Sequence, residues 1–134
     1  MSPSLEAALY ARYPAMFAGR ILPPGRAAMD RGTECDDGWF PHIDALGESL
    51  QWETDHGNAP QVVVWQVKEK FGGLRFHAAR GSDIQTGMIR LATRVSERMC
   101  EVCGAPAASM LMPRTRAASL CERHGEGPAG GESA

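Results

Sequence analysis

The chain has 134 residues, 43% of them hydrophobic and 22% charged, and its formal net charge at pH 7 is −2. This size and composition are typical of one compact globular domain, and the small negative charge excludes attraction to nucleic acid or anionic lipid through a globally basic surface. No apolar run reaches the roughly 18 residues that a membrane-spanning helix needs, and the N-terminal sequence lacks the basic start and apolar core of a secretory signal.

The first predicted element is a short helix over residues 3–12, with Ser2 or Ser4 as its N-cap and Pro14 just beyond its end. An irregular loop is predicted after it. Pro-Pro-Gly and Asp-Asp-Gly sequences within residues 21–38 are typical of such a loop.

A second helix is predicted over residues 38–52, with Asp36 or Asp37 as its cap. Its apolar residues recur at spacings of four, three and four, which is the helical period. These residues are Trp39, Ile43, Leu46 and Leu50.

The segment QVVVWQVKEKFGGLRFHA, residues 61–78, predicts a β-hairpin. Its first half is rich in β-branched and aromatic residues, and its second half alternates apolar residues with Arg75 and His77. Gly72-Gly73 is the predicted turn, since glycine adopts positive φ without strain. Two strands alone are marginally stable, so we expect helices to cover the apolar face and leave His77 solvated on the polar face.

A third helix is predicted after Gly81, where Ser82 and Gln85 have the spacing of a capping box. The apolar residues that recur at four, three and four are predicted to be buried. These residues are Ile84, Met88, Leu91 and Val95. Three arginines follow another flank at intervals of four residues: Arg90, Arg94 and Arg98. The helix leads directly into Cys100.

The most specific pattern in the chain is a C-x2-C pair followed, after seventeen residues, by a C-x2-H pair. Zinc takes four sulfur or nitrogen ligands in closed structural sites, and this spacing is close to the usual one. We therefore expect one structural Zn²⁺ on four ligands: Cys100, Cys103, Cys121 and His124. Four protein ligands leave no position for a catalytic water, so chemistry at this ion is not expected. A redox C-x2-C would need a thioredoxin-like βαβ setting, which this stretch lacks.

The predicted metal module covers residues 100–124 as a zinc ribbon or a treble-clef-like finger. Residues 105–120 are expected to form a short hairpin within it, and the Gly-rich residues 125–134 a disordered tail. Cys35 lies beside two aspartates, which raise a thiol pKa. It is interpreted as a core or loop cysteine, with a substitute zinc ligand as the other option. Because the other three cysteines are assigned to the metal, we expect a reducing, cytoplasmic location.

Charge is segregated along the chain. Residues 30–56 contain eight acidic residues and one arginine, whereas residues 68–98 contain seven basic and three acidic residues. Either the two segments attract each other within one fold, or they form surfaces of opposite sign, one of them a docking face. Packing of the hairpin beside the third helix would gather the basic residues into a candidate partner-binding surface. Its members are Lys68, Lys70, Arg75, Arg90, Arg94 and Arg98.

Four sequences together, ARYPAMF, ECDDGWFPHIDAL, QVKEKFGGLRF and RMCEVCGAP, resemble a family of small uncharacterised proteins of bacteria, phages and prophages. The resemblance covers residues 9–124, and QVKEKFGGLRF with the following CEVCG is its most specific part. Members end in a C-x2-C and C-x2-H pair, which implies the same metal ligands here, whereas Asp36 stands where a glycine often follows the cysteine. No activity comes with the family. Its phage setting implies a protein that binds a host complex and blocks it, for example a defence nuclease.

The predicted fold is α+β, with helices packed on a β-hairpin in residues 1–99, followed by the zinc module. The expected function is non-enzymatic: a zinc-stabilised binding protein whose partner is another protein or a nucleoprotein complex, one form of which is an inhibitor of host defence. One alternative is a nucleic-acid-binding regulator that uses the arginines of the third helix, although these can equally form a solvated face. Another is a small hydrolase, for which Asp36, Asp37 and His42 are the local acid or base candidates.

Overall fold

A computed structural model describes residues 1–21, 28–108 and 118–125 of the chain. The predicted mixture of helices and strands is confirmed, because these residues form four α-helices and a three-stranded sheet. The helices are α1 (Pro3–Arg12), α2 (Phe40–His56), α3 (Asp83–Ser96) and α4 (Glu122–Gly125), and the strands are β1 (Thr33–Glu34), β2 (Val63–Lys70) and β3 (Gly73–Ala79).

The first two predicted helices are confirmed, but their capping differs from the prediction. α1 has the predicted bounds, and Ser2 is its N-cap residue without a side-chain hydrogen bond. α2 follows a 3₁₀ turn formed by Asp37–Trp39. The prediction that Asp36 or Asp37 caps α2 is wrong, because Trp39 is the N-cap residue. The Asp37 carboxylate instead accepts a hydrogen bond from the Ser2 amide (2.6 Å).

The sheet has the order β1-β2-β3, with β1 parallel to β2 and β2 antiparallel to β3. The predicted hairpin is confirmed, but its two-residue turn lies one position earlier than expected, at Phe71 (φ 53°) and Gly72 (φ 81°). Positive φ at both turn residues is the type I′ pattern, whose twist matches that of the flanking strands. A bulge between Val64 and Gln66 interrupts the ladder.

The short strand β1 corrects the prediction of an irregular loop before α2. It is tied to α1, because the Glu6 carboxylate accepts a hydrogen bond from the Thr33 amide (2.6 Å). Thr33 is buried. A strand of two residues has no alternation to detect, so sequence periodicity gives no signal for it. Residues 22–27 of the predicted loop lie outside the described residues.

The third helix and its capping box are confirmed, since the side chains of Ser82 and Gln85 each accept a hydrogen bond from the amide of the other residue. The predicted buried face of this helix is wrong for Ile84 and Leu91, whereas Met88 and Val95 are half-buried and Met88 packs against the core. Ile84 is 61% exposed and Leu91 is 65% exposed. The buried residues of α3 are instead Gln85, Ala92 and Ser96.

Polar contacts explain why this other side of α3 faces the interior. The side-chain amide of Gln85 donates to the Leu50 carbonyl of α2 (3.0 Å), and the Ser96 hydroxyl accepts a hydrogen bond from the Leu74 amide of β3 (2.8 Å). Both buried polar groups are therefore satisfied, as burial requires. Ala92, between them, adds little bulk where α3 packs on α2.

The core lies between the sheet and the helices. α2 packs on α3, and α3 packs on β3. The largest fully buried apolar side chains come from α1, α2, β3 and the segments that follow α1 and precede α2: Trp39, Phe17, Leu9, Met16, Ile43, Leu50 and Leu74. No helix in the described part of the chain combines the length and hydropathy that a membrane span requires.

Candidate metal centre

The four predicted metal ligands come together at the C-terminal end of α3. Cys100 and Cys103 lie on the turn that follows this helix, Cys121 directly precedes α4, and His124 lies within α4. Their candidate ligand atoms all lie within 4.8 Å of one another. Cys100 Sγ is 3.5 Å from His124 Nδ1, Cys103 Sγ is 3.8 Å from Cys121 Sγ, and Cys121 Sγ is 3.1 Å from His124 Nδ1. This cluster can hold a metal ion.

The backbone of the first ligand pair favours a thiolate at Cys100. Burial raises the pKa of this thiol, but hydrogen bonds from the backbone at Cys121, Cys103 and Val102 outweigh it and lower the pKa to about 7. Gly104 adopts φ 80°, a left-handed conformation that favours glycine, and its amide donates to the Cys100 carbonyl (2.8 Å). The turn therefore stabilises the form of cysteine that binds metals.

The Cys100–Cys103 turn packs directly on the segment that precedes α2. The Gly38 amide donates to the Glu101 carbonyl (2.7 Å). A Cβ atom at position 38 would lie 2.4 Å from that carbonyl oxygen, so only glycine fits without movement of the turn. Trp39 is fully buried, and its Nε1 donates to the Met99 carbonyl (3.2 Å). Two residues of the Asp-Asp-Gly-Trp sequence, Gly38 and Trp39, therefore support the Cys100–Cys103 turn, called the metal turn below. From the sequence alone, these four residues predict only a loop and the start of a helix.

The segment before Cys121 joins the metal cluster to the hairpin. Ser119 is buried, and its hydroxyl donates to the Gly72 carbonyl in the hairpin turn. The Glu101 amide donates to the Ser119 carbonyl (2.9 Å), which links the two ligand pairs through the backbone. Residues 109–117, within the predicted module hairpin, and residues 126–134, within the predicted tail, lie outside the described residues, while residue 125 belongs to α4. The zinc-ribbon or treble-clef assignment and the domain boundaries stay predictions.

The other candidate reactive residues have separate structural roles. Cys35 is part of the hydrophobic core, and burial, as the main cause, raises its pKa to about 12. It is not a member of the described metal cluster. His42 Nε2 lies 2.6 Å from the Ala92 carbonyl of α3, and burial lowers the pKa of this imidazole. Asp36 and Asp37 are exposed.

The predicted partner-binding residues come from the hairpin and from α3 with the residues that follow it. Lys68 and Arg75 are directly opposite each other on β2 and β3, and they alternate with the buried Val67 and Phe76. They therefore face away from the core, and the Arg75 guanidinium lies beside Gly73, as does the Glu97 carboxylate at the end of α3. Arg90, Arg94 and Arg98 are exposed on α3 and after its end. Their assignment to one partner-binding surface stays a prediction.

Asp44 of the acidic segment pairs with a residue outside the basic segment. Its carboxylate forms an ion pair with Arg12 (2.7 Å). Asp44 also accepts a hydrogen bond from the Tyr13 hydroxyl (2.9 Å).

Sequence reasoning missed two features around these residues. One is the tight contact of Gly38 with the metal turn. The sequence around Gly38 contains no pattern that predicts this contact, apart from the glycine itself. The other is Trp65, whose position at a bulge turns it to the outside of the sheet, 45% exposed. No protein-family model, curated protein or solved structure matches the chain.

Proposed function

We propose that this protein is a zinc-stabilised binding protein without catalytic activity, and that it docks on another protein through the outer face of α3. This face comprises Ile84, Met88, Leu91 and Val95. The exposure of Ile84 and Leu91 on this face is the observation that carries the proposal, because an apolar helix face is normally covered.

Zinc is the ion that best suits the four ligands. With Zn–S bonds of about 2.3 Å and Zn–N bonds of about 2.0–2.1 Å, a tetrahedral site separates two sulfurs by about 3.8 Å and a sulfur and a nitrogen by about 3.6 Å. The sulfurs of Cys103 and Cys121 are 3.8 Å apart, and Cys100 Sγ is 3.5 Å from His124 Nδ1. Thiolate and imidazole also favour zinc over hard cations such as Mg²⁺.

A structural role for this ion follows from its ligand count. Four protein ligands complete the tetrahedron and leave no position for a substrate or an activated water. The residues that could act without a metal are also engaged elsewhere. His42 contacts the Ala92 carbonyl, and the Asp37 carboxylate accepts a hydrogen bond from the Ser2 amide. These contacts support a binding protein over a hydrolase.

The outer face of α3 has the composition of a protein-docking surface. Ile84 and Leu91 are 61% and 65% exposed, and Met88 and Val95 are half-buried at its border with the core. The four residues follow the spacing i, i+4, i+7, i+11 and therefore form one apolar stripe. Burial of such side chains contributes about 25 cal/mol for each Å² of apolar surface removed from water.

The border of this stripe indicates the chemistry of the partner. Arg90, Arg94 and Arg98 follow one flank, so a partner with an apolar centre and acidic residues around it would be complementary. A second copy of the same face would present the same positive border. α3 contains no aromatic side chain on which a base could stack, which argues against nucleic acid at this face. The phage-type sequence resemblance points to a host protein as the partner.

The zinc assignment is tested by metal analysis of the purified protein. We expect one zinc ion per chain, lost in Cys103→Ser and retained in Cys35→Ser. Cys103 is exposed, so its replacement removes a ligand without opening a cavity in the core. Retention of stoichiometric zinc in Cys103→Ser, or an ion other than zinc in the native protein, would contradict the assignment.

Docking is tested by capture from host lysate treated with nuclease, with wild type, Leu91→Glu and the matched control Trp52→Glu. Trp52 is 55% exposed on α2, so the control removes an exposed apolar side chain from a different surface. We expect wild type and Trp52→Glu to capture the same protein, and Leu91→Glu to lose it. The captured protein is then purified and tested for direct binding. Equal capture by Leu91→Glu and wild type would refute the proposal. Self-association that Leu91→Glu abolishes, measured by light scattering, would refute it in favour of a second copy.

A further inference from the structure

A second surface, on the β2–β3 hairpin, has a different chemistry. The outer face of the β2–β3 hairpin presents Trp65 beside His77, with ring centroids 4.9 Å apart and planes inclined by 23°. The bulge at Trp65 turns this side chain outward, where it stays 45% exposed. An indole held flat against a neighbouring ring and open to solvent is a preformed stacking platform.

Three cations surround this platform. Lys68 and Arg75 are directly opposite each other in the ladder, and Lys70 follows on the same face as Lys68. Like charges in directly opposite positions destabilise a sheet. Lys70 Nζ lies 5.6 Å from the centroid of the Phe71 ring, and the Arg75 guanidinium and the Glu97 carboxylate both lie beside Gly73. Glu34 of β1 is in register with Lys68. An anionic ligand would relieve the repulsion.

We propose that the outer face of the β2–β3 hairpin binds single-stranded nucleic acid, with the phosphates at Lys68, Lys70 and Arg75 and a base stacked on Trp65. The inference is independent of docking through α3, because it depends on side chains of β2 and β3 and on no residue of α3. A positively charged groove or face with accessible aromatic rings is the general solution for binding unpaired strands. Bases in a duplex are already stacked, so the indole selects a single strand.

Charge and aromatic character together decide between a nucleic acid and an acidic protein. An acidic protein would use the three cations but would gain little from an indole stacked on an imidazole. The imidazole adds a local reporter of binding. Burial, followed by the charges of Lys68, Arg75 and Lys70, lowers the pKa of His77. Phosphates that neutralise these cations should raise the His77 titration midpoint, which NMR measures for this ring alone.

The test uses fluorescein-labelled dT15 as the probe and fluorescence anisotropy at low salt. Trp65→Ala is expected to weaken binding roughly 5- to 100-fold, the range for loss of one stacked base. Trp65→Tyr, which keeps an aromatic ring, should retain most of the affinity. Trp52→Ala is the matched control, because Trp52 stacks on His56 with nearly the same geometry (4.9 Å, 24°) on α2. It should bind dT15 like wild type.

The cations are tested through the salt dependence of the same measurement. Three phosphate contacts on a single strand predict a slope of about −2 in log K against log salt concentration. Lys68→Gln with Arg75→Gln should reduce the slope to about −0.7, whereas Arg90→Gln with Arg94→Gln should leave it unchanged. The second pair also distinguishes this face from the arginines of α3.

Several outcomes would overturn the proposal. One such outcome is that wild type does not bind dT15 at low salt. Another is that Trp65→Ala and Trp52→Ala bind dT15 equally well, which would show that no base stacks on Trp65. Binding of a duplex of the same length or of poly-glutamate as tightly as dT15 assigns the face to anions in general or to an acidic protein. Leu91→Glu should bind dT15 like wild type, so loss of protein docking and loss of nucleic-acid binding are separate results.

Discussion

Among single residues, Gly38 has the tightest contact with the metal turn. A Cβ atom there would lie 2.4 Å from the Glu101 carbonyl oxygen, 2.5 Å from the Cys100 carbonyl oxygen and 2.6 Å from the Cys103 nitrogen. All three neighbours are backbone atoms, which cannot rotate away as a side chain can. Gly38→Ala is therefore expected to reduce the free energy of unfolding by about 1–3 kcal/mol, the usual cost of overpacking, and to weaken metal binding.

The control for this change is Gly87→Ala, since Gly87 lies in α3 and a Cβ atom there would have no neighbour within 4 Å outside the helix's own backbone. Alanine in a helix interior is favoured over glycine by about 0.5–1 kcal/mol, so this variant should be slightly more stable than wild type. Urea unfolding with metal present measures both. A Gly38→Ala protein as stable as wild type would show that the turn can move away from this segment.

His42 gives the fold a pH dependence whose sign follows from its burial. Burial lowers the folded-state pKa of His42 below the ordinary value of 6.5, while the unfolded chain keeps that value. As pH falls below about 6.5, the unfolded state takes up a proton first, so the free energy of unfolding decreases. His42→Gln keeps a donor for the Ala92 carbonyl and has no proton to gain. Its stability should fall less than that of wild type between pH 7.5 and 5.5, and parallel curves would contradict this role.

At the scale of elements, α3 shows why the direction of a helix face is harder to predict than the helix. The inward side carries Gln85, Ala92 and Ser96, and Ile84 and Leu91 of the apolar stripe are exposed. Ala92→Leu should therefore destabilise the protein by about 1–3 kcal/mol through overpacking against α2. Leu91→Gln should change stability by no more than about 0.5 kcal/mol. Thermal unfolding measures both, and the reverse ranking would mean that the stripe is buried after all.

The elements that sequence reasoning predicted are those with strong local signals. The capping box of Ser82 and Gln85 marked the start of α3, and the β-branched run with its glycines marked the hairpin. Periodicity failed where tertiary hydrogen bonds made a polar face the buried one, as for Gln85. It also gave no sign of β1, whose pairing with β2 depends on residues more than 30 positions away.

In the candidate site, too, the features with a local sequence pattern could be predicted and those that depend on distant contacts could not. The four ligands could be predicted because metal chelation imposes short, recognisable spacings on cysteine and histidine. The support that Gly38 and Trp39 give to the metal turn could not be predicted, since the packing of a turn on a distant segment requires no regular spacing of residues in the sequence. The Trp65 platform was equally hidden, because it depends on a bulge that shifts one residue from one face of the sheet to the other.

At the scale of the whole molecule, the metal cluster connects four parts of the chain. It joins the end of α3 to α4, packs on the segment before α2 through Gly38, and reaches the hairpin turn through Ser119. A bound ion stabilises the folded state by an amount that depends on its free concentration. Removal of the ion should therefore lower the melting temperature, and addition of zinc should restore it.

Hydrogen exchange locates this loss of stability. The Gly38 amide is bonded to the Glu101 carbonyl at the metal turn, whereas the Val64 amide is bonded to the Met16 carbonyl in the core. After chelation we expect exchange to accelerate more at Gly38 than at Val64, because the contacts nearest the ligands open first while the apolar core persists. Cys103→Ser should behave like the chelated wild type and respond little to chelator. An unchanged melting temperature would contradict a stabilising ion, and equal acceleration at both amides would mean that the metal cluster and the core unfold as one unit.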